Sequence, residues 1–318
     1  MRNITLEELL EAGCHFGHQV TRQNPKARDF IFEERDNIHI IDLEKTKEGL
    51  DEAAAYVKEL AKNGGTLLIL GTKRQAQAIL EEEIKKIKDE NISNIFWVIK
   101  RWIGGTFTNY SEVSKNFNKL RILQKRLKDE NEKEKFTKRE IGEWDKERQK
   151  LEGFYGGIAL MTKVPDAIFV VDTHIEDLAI REAIAMNVKS VGITDTNSDP
   201  TVIDYPIPAN DDAVGSLKLI IQYILEAWKE GKKQQQEGIK KQKLVEEKKA
   251  KEPEVKVEEK KVVPASSKEE PKKVSLVKET EVKQVKKPSD ATTVAKAMVV
   301  KKAMAGKEKK VSKKKEAK

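Results

Sequence analysis

Thr66-Leu67-Leu68-Ile69-Leu70-Gly71-Thr72-Lys73-Arg74 decides the fold. Residues 66–70 form a continuous apolar run of strand length, a glycine ends it, and a charged stretch with helical spacing continues to about Lys88. A strand without polar alternation is buried on both faces, so its sheet must be covered on both sides. The same unit recurs outward from this point. Upstream, residues 37–42 (NIHIID) read as a strand. Residues 43–62 then space Leu50, Ala54, Val57 and Ala61 as one helical face before Gly64-Gly65. Downstream, residues 95–99, 166–172 (DAIFVVD) and 188–194 read as strands, and helices are expected at about 175–186 and 211–230. Strands alternating with helices imply a parallel sheet with helices on both faces. The expected fold is therefore α/β, a flavodoxin-like doubly wound parallel sheet.

The long stretch between residues 99 and 166 breaks this rhythm. Val113, Phe117, Leu120 and Leu127 fall at heptad-like spacing, with Gln124 at the missing step. Thr137-Lys138-Arg139-Glu140 matches a capping box, and Ile141, Trp144 and Leu151 continue a similar stripe past Arg148. An antiparallel coiled-coil helical hairpin inserted at about residues 110–155, turning near 129–136, is the expected form.

Charge divides the chain into two expected parts, an α/β domain over 1–231 and a tail over 232–318. The whole chain carries 62 Lys and Arg against 54 acids, net +8. Residues 232–318 hold 28 Lys, no Arg and 14 acids, net +14, which leaves 34 bases and 40 acids, net −6, in residues 1–231. A tail of Lys, Glu, Val, Pro and Ser with almost no aromatics cannot bury enough apolar surface to offset its ordering entropy, so disorder is expected there. Residues 291–305 have the composition of a short helix formed on contact with a partner. The net-acidic body can bind nucleic acid only through local basic patches.

Several classes of function are disfavoured. The first eight residues contain no apolar signal core, and no run approaches the roughly 18 residues of a membrane span. The lone Cys14 permits no intrachain disulfide, so a reducing, cytoplasmic setting and no membrane association are expected. Gly71-Thr72-Lys73 lacks the glycine spacing of both phosphate-binding fingerprints, and no cofactor is expected. Cys14, His15 and His18 are potential metal ligands, but zinc sites draw ligands from separated pairs, so packing is the expected role. Asp195-Thr196-Asn197-Ser198-Asp199 opens like a calcium loop, yet Pro200 stands where glycine is needed. Asp172, His174 and Asp195 lie just past strands, at the carboxyl edge where an enzyme of this fold would hold an acid–base site. Capping of helices and turns competes with that alternative.

Arg101-Trp102-Ile103-Gly104-Gly105-Thr106-Phe107-Thr108-Asn109-Tyr110 joins the third apolar strand of this series to the hairpin. Its glycine pair permits close backbone approach, and Arg and Asn suit phosphate, sugar and base-edge contacts. Further cations cluster at Arg22, Lys26 and Arg28, at Lys73 and Arg74, at Lys100, and along the hairpin from Lys115 and Lys119. Trp97, Trp102, Phe107 and Tyr110 interleave with them. Cationic and aromatic groups together suit folded RNA.

These motifs resemble the bacterial small-subunit ribosomal protein S2 family. The resemblance rests on Leu9–His18 (LLEAGCHFGH), Asn24-Pro25-Lys26, Ile38–Leu43 (IHIIDL), Gly71–Ala76 (GTKRQA), Arg101–Asn109 (RWIGGTFTN), Pro165–Asp172, Asp195–Pro200 and Asp204–Ala213, in that order. It implies a structural role without catalysis, binding to small-subunit ribosomal RNA between head and body, and a place beside neighbouring small-subunit proteins, including docking of ribosomal protein S1. It implies no homo-oligomer. RNA contact is carried onto Arg22, Lys26, Lys73, Arg74, Arg101, Thr106 and Asn109, with Arg28, Lys100, Lys115 and Lys119 from the neighbouring basic clusters. The family core has no counterpart of the lysine-rich tail, whose 28 Lys suit either an auxiliary electrostatic contact with RNA or an acidic protein, or a solubilising, untethered tail.

Overall fold

The computed structural model describes residues 2–90 and 92–250, with side chains through residue 238. In chain order the elements are α1 (Leu6–Glu11), β1 (Phe16–Gln19), β2 (Ile31–Arg35), β3 (Ile38–Ile41), α2 (Leu43–Lys62), β4 (Leu67–Leu70), α3 (Arg74–Asp89) and β5 (Ile95–Val98). They continue with α4 (Tyr110–Lys128), α5 (Glu130–Lys133), α6 (Lys138–Tyr155), β6 (Ala167–Val170), α7 (Asp177–Ala185), β7 (Lys189–Thr194), β8 (Tyr205–Pro208) and α8 (Val214–Ala250). Five strands form a parallel sheet in the order β5-β4-β6-β7-β8. Counted along the chain this is 2-1-3-4-5, the flavodoxin-like doubly wound order, whose switch point lies between β4 and β6.

The apolar run of residues 67–70 is an interior strand of the sheet, between β5 and β6. Alternate side chains leave a strand on opposite faces, so Leu67 and Ile69 join one core and Leu68 and Leu70 the other. The first core is closed by Leu50 and Val57 of α2, Leu80 and Ile84 of α3, and Leu217 to Trp228 of α8. The second is closed by Phe117 and Leu120 of α4, Tyr155 of α6 and Ala179, Ile180 and Ala183 of α7. All four residues of β4 and of β6 are buried, which accounts for the absence of polar alternation in both.

Three expectations need correction. The 37–42 strand is not part of the parallel sheet. It is β3, the centre of a three-stranded antiparallel sheet ordered β1-β3-β2. Asp36 and Asn37 both have positive φ, 51° and 61°, the geometry of a tight two-residue hairpin turn that folds β2 back on β3. The fifth strand of the parallel sheet is instead β8, which contains Pro206 and Pro208. Proline cannot donate to a ladder, so it demotes such a run in sequence; β8 tolerates it because it is an edge strand paired only to β7. The last helix does not stop near Glu230 but runs to Ala250. Gly231 is not a terminator. A Cβ there would lie 2.3 Å from the Lys58 carbonyl oxygen, so glycine permits α8 to cross closely over α2.

The inserted segment forms α4 and α6 joined through α5. The expected capping box is present: Thr137 accepts from the Glu140 N–H while Glu140 accepts from the Thr137 N–H. Phe117 meets Tyr155, Lys119 pairs with Glu147 and Arg126 lies over Trp144, so the two helices run in opposite directions. Leu123, outside the expected stripe, is buried, whereas Leu127 is only half-buried. Residues 251–318, including the 291–305 helix expected from composition, lie outside the described residues.

Candidate nucleic-acid interface

The loops that follow β4, β6, β7 and β8 gather at the carboxyl edge of the sheet. Lys73 is the N-cap residue of α3 and has extended backbone. Its ammonium lies 3.0 Å from Asp172 Oδ2, 2.7 Å from Asp211 Oδ1 and 2.8 Å from Asp212 Oδ1. Burial disfavours the Lys73 charge, but bonds to Asp211 and Asp212 more than reverse that, and its pKa is raised. Beside it, His18 Nδ1 stands 3.1 Å from Asp195 Oδ2 and His18 Nε2 stands 3.6 Å from Asp212 Oδ2. The bond to Asp195 raises the His18 pKa against the opposing effect of burial. Burial, then the charges of Asp172 and Asp195, push Asp211 up to about 7, with Lys73 acting in the other direction.

His18, Asp195 and Asp211 each offer a ligand atom within 4.8 Å of the others. Part of the positive charge such a set would attract is supplied by Lys73. Cys14 and His15 do not join this group. Cys14 is buried, with its pKa raised by desolvation, and His15 packs on Phe16 with ring centroids 4.0 Å apart. The alternative acid–base trio does not assemble either. Asp172 Oδ1 accepts the N–H groups of His174 and Ile175 at 2.9 Å, so it caps a turn. The His174 side chain is exposed, and the histidine facing Asp195 is His18. Asp195 Oδ1 is held by Thr196, and Asp199 caps the turn at Thr201.

The 101–110 run is arranged differently. Trp102 and Phe107 are buried, edge to face at 4.9 Å, within the second core, and Tyr110 donates its hydroxyl to the Met161 carbonyl at 2.7 Å. Trp97 is half-buried beneath Lys88. The aromatics read as stacking platforms for bases are thus largely packing groups. Thr106 is also buried, its hydroxyl donating to the Ile103 carbonyl at 2.5 Å. Gly105 has φ +89°, which a residue with a Cβ adopts only with strain.

At the centre of this loop lies Glu182 of α7, a residue that the sequence reading passed over. Its Oε1 accepts from the Gly105 N–H at 2.7 Å and the Trp102 indole at 3.2 Å. Its Oε2 accepts from the Phe107 N–H at 3.0 Å and from the Thr108 N–H and hydroxyl at 3.3 Å. Burial pushes the Glu182 pKa up, but these donors, backbone N–H groups first, hold it below the ordinary carboxylate value. The available signal was an acid on the buried stripe of α7, beside Ala179 and Ala183.

Of the residues expected to touch RNA, Arg22, Lys26, Arg28, Arg74, Lys100, Arg101, Asn109, Lys115 and Lys119 are exposed. Lys26 pairs with Asp199 at 2.6 Å, Lys115 with Glu112 at 2.7 Å, and Lys119 with Glu147. Lys73 and Thr106 are turned inward. Arg22 shares with His18, Asp195 and Asp212 the lining of a cleft of about 270 Å³ beside the acidic cluster.

The family profile described as ribosomal protein S2 matches residues 9–231. The chain belongs to the ribosomal protein S2 family. Over 237 residues it is 46% identical to the small ribosomal subunit protein uS2 of Corynebacterium glutamicum (strain R), covering 74% of this chain and 88% of that one. It is 45% identical over the same length to the uS2 protein of Corynebacterium diphtheriae, covering 74% and 87%. The S2 family is one of structural ribosomal proteins, and the chain is not an enzyme. The matched span ends at Gly231, while α8 continues for several turns beyond it. No helix among the described residues is long and apolar enough to cross a membrane.

Proposed function

We propose that this protein is a structural constituent of the small ribosomal subunit in the cytoplasm and docks on small-subunit ribosomal RNA through its exposed cations. The family match over residues 9–231 carries the reading. The surface is consistent with it, because Arg22, Arg28, Arg74, Lys100, Arg101 and Asn109 are exposed around the loops of a rigid sheet. Phosphate contacts of this kind fix position and orientation, and folded RNA is recognised through shape. Lys73 and Thr106 serve the interface from within, by holding the loops that present the other residues. The α4–α6 pair acts as a coiled-coil arm whose Lys115 and Lys119 reach RNA beyond the body. In the assembled subunit the protein lies between head and body, does not pair with a second copy, and offers a docking surface to ribosomal protein S1. The lysine-rich tail adds a diffuse electrostatic contact.

Sedimentation of cell lysate through sucrose at low and moderate salt tests the reading. Co-migration with the small subunit is expected, and a predominantly free pool would overturn it. For the tail, cutting after Ala250 keeps α8 whole. Each phosphate contact contributes roughly 0.7–0.9 to the log–log salt slope of affinity, so the truncated chain should bind RNA with a shallower slope.

A further inference from the structure

We propose that Glu182 is the positioning residue of the RNA-docking loop, setting Arg101 and Asn109 in place without touching RNA itself. The inference rests on the RNA-docking reading above. It starts from a charge with no counter-cation: among the described residues no ammonium or guanidinium pairs with Glu182, which is 6% exposed. Buried charges normally require a charged partner or a full set of hydrogen bonds. Here the loop provides the second, with five donors between Trp102 and Thr108 converging on two carboxylate oxygens.

The order of the donors gives the arrangement its consequence. Trp102 and Thr108 are the first and last links of the bracket, and Arg101 and Asn109 stand one residue outside each end, both exposed. The peptide N–H groups of Gly105, Phe107 and Thr108 are consumed inward by Glu182, and that of Thr106 bonds the Ile103 carbonyl. The loop therefore turns these backbone donors away from RNA and leaves its flanking side chains exposed. Glu182 lies on α7, whose Ala179, Ile180 and Ala183 are seated in the core. The loop is consequently tied to a rigid element, a condition for presenting contact groups in one geometry. The Asn109 N–H donates to the Gly105 carbonyl at 2.8 Å and carries the same restraint into the start of α4.

A neutral isostere isolates the role. In Glu182→Gln the amide NH₂ faces loop N–H groups, so one half of the bracket opens with little change in volume. The full-length chain would be titrated with in-vitro-transcribed small-subunit ribosomal RNA over a salt series, for the wild type, Glu182→Gln, Arg101→Ala and the double variant. All are measured at a temperature where melting curves show them folded. The tail contributes equally to each and cancels in the cycle. Glu182→Gln should weaken binding by about tenfold and make the salt slope shallower, as Arg101→Ala does. The double variant should be scarcely weaker than either single one, because Glu182 acts through Arg101. If the two effects multiply, or if Glu182→Gln binds like the wild type, the positioning role is wrong. If Arg101→Ala itself leaves affinity and slope unchanged, the RNA-docking reading of this loop falls first. Should Glu182→Gln not fold, Trp102→Phe removes the indole donor together with part of a buried ring, and where melting curves show it folded it should give a two- to fivefold loss with the same sub-multiplicative behaviour.

Discussion

Two loops leave neighbouring strands at the same edge of the sheet and use their cations in opposite ways. After β4, Lys73 turns inward and is enclosed by Asp172, Asp211 and Asp212. After β5, Arg101 stays in solvent while the segment behind it wraps the Glu182 carboxylate. Both loops solve the problem of a buried charge. In the first a side-chain cation answers several carboxylates, and in the second backbone donors answer one. The contrast shows that, of these two cations, the one that stays in solvent is the one whose facing loops bring it no acids. Asp211 and Asp212, more than 130 residues away in sequence, determine the fate of Lys73.

Removing the inward cation is the most damaging way to break this contrast. Lys73→Met leaves the buried carboxylates of Asp172 and Asp211 without their cation. Loss of one partner from a buried ion pair costs about 3–5 kcal/mol. Urea unfolding should show that loss, with a fall in Tm on the order of 10 °C. A loss below about 1 kcal/mol would mean that the acids are screened by solvent, and that Lys73 is as free as Arg101.

Acidity should separate the two loops by sign. The folded pKa of Asp211 is raised to about 7, so the folded state binds the extra proton, and the stability from this group is lost as pH rises from about 4 through 7. The raised pKa of His18 acts in the same direction, its share being lost as pH rises through its folded value. The pKa of Glu182 is lowered, so its contribution is present above the ordinary carboxylate value and is lost as pH falls through the folded one. Asp211→Asn should flatten the decline in Tm between pH 5 and 8. Glu182→Gln should flatten the decline below about pH 4. A single variant that removed both slopes would show that the two sites titrate as one.

The outward cation should register in binding and hardly at all in folding. Arg101→Ala is expected to change stability by less than about 0.5 kcal/mol. Filter binding to ribosomal RNA should meanwhile show a slope shallower by about 0.7–0.9 for each phosphate that Arg101 neutralises. The smallest effect belongs to the α4–α6 arm. Breaking the exposed Lys119–Glu147 pair should cost roughly 0–1 kcal/mol in a double-mutant cycle. A larger coupling would make that pair part of what holds the two helices together.

Much of this architecture could be read from local chemistry. The unbroken apolar runs of β4 and β6 announced a sheet covered on both faces, and Thr137 and Glu140 announced the start of α6. These are short-range signals, set by the period of the backbone and by capping three residues away. β8 escaped because Pro206 and Pro208 argue against a strand unless the strand is known to be at an edge, and edge position is a property of the finished sheet. The small antiparallel sheet was legible only as the 37–42 strand: those residues alone do not reveal which sheet they join, and the turn at Asp36-Asn37 is set by backbone geometry seen only in the fold.

By itself, the sequence determined the doubly wound class, the paired helices after the third apolar strand and the set of cations from which an RNA surface can be drawn. Tertiary structure alone decided which of those cations face solvent. It also converted Trp102 and Phe107 from candidate stacking platforms into core, and it placed Glu182 under the loop that precedes α4. The reason is physical. Helical and strand periods act over a few residues, whereas the cost of burying a charge is answered by whichever groups the fold brings within about 3 Å, and those lie anywhere along the chain.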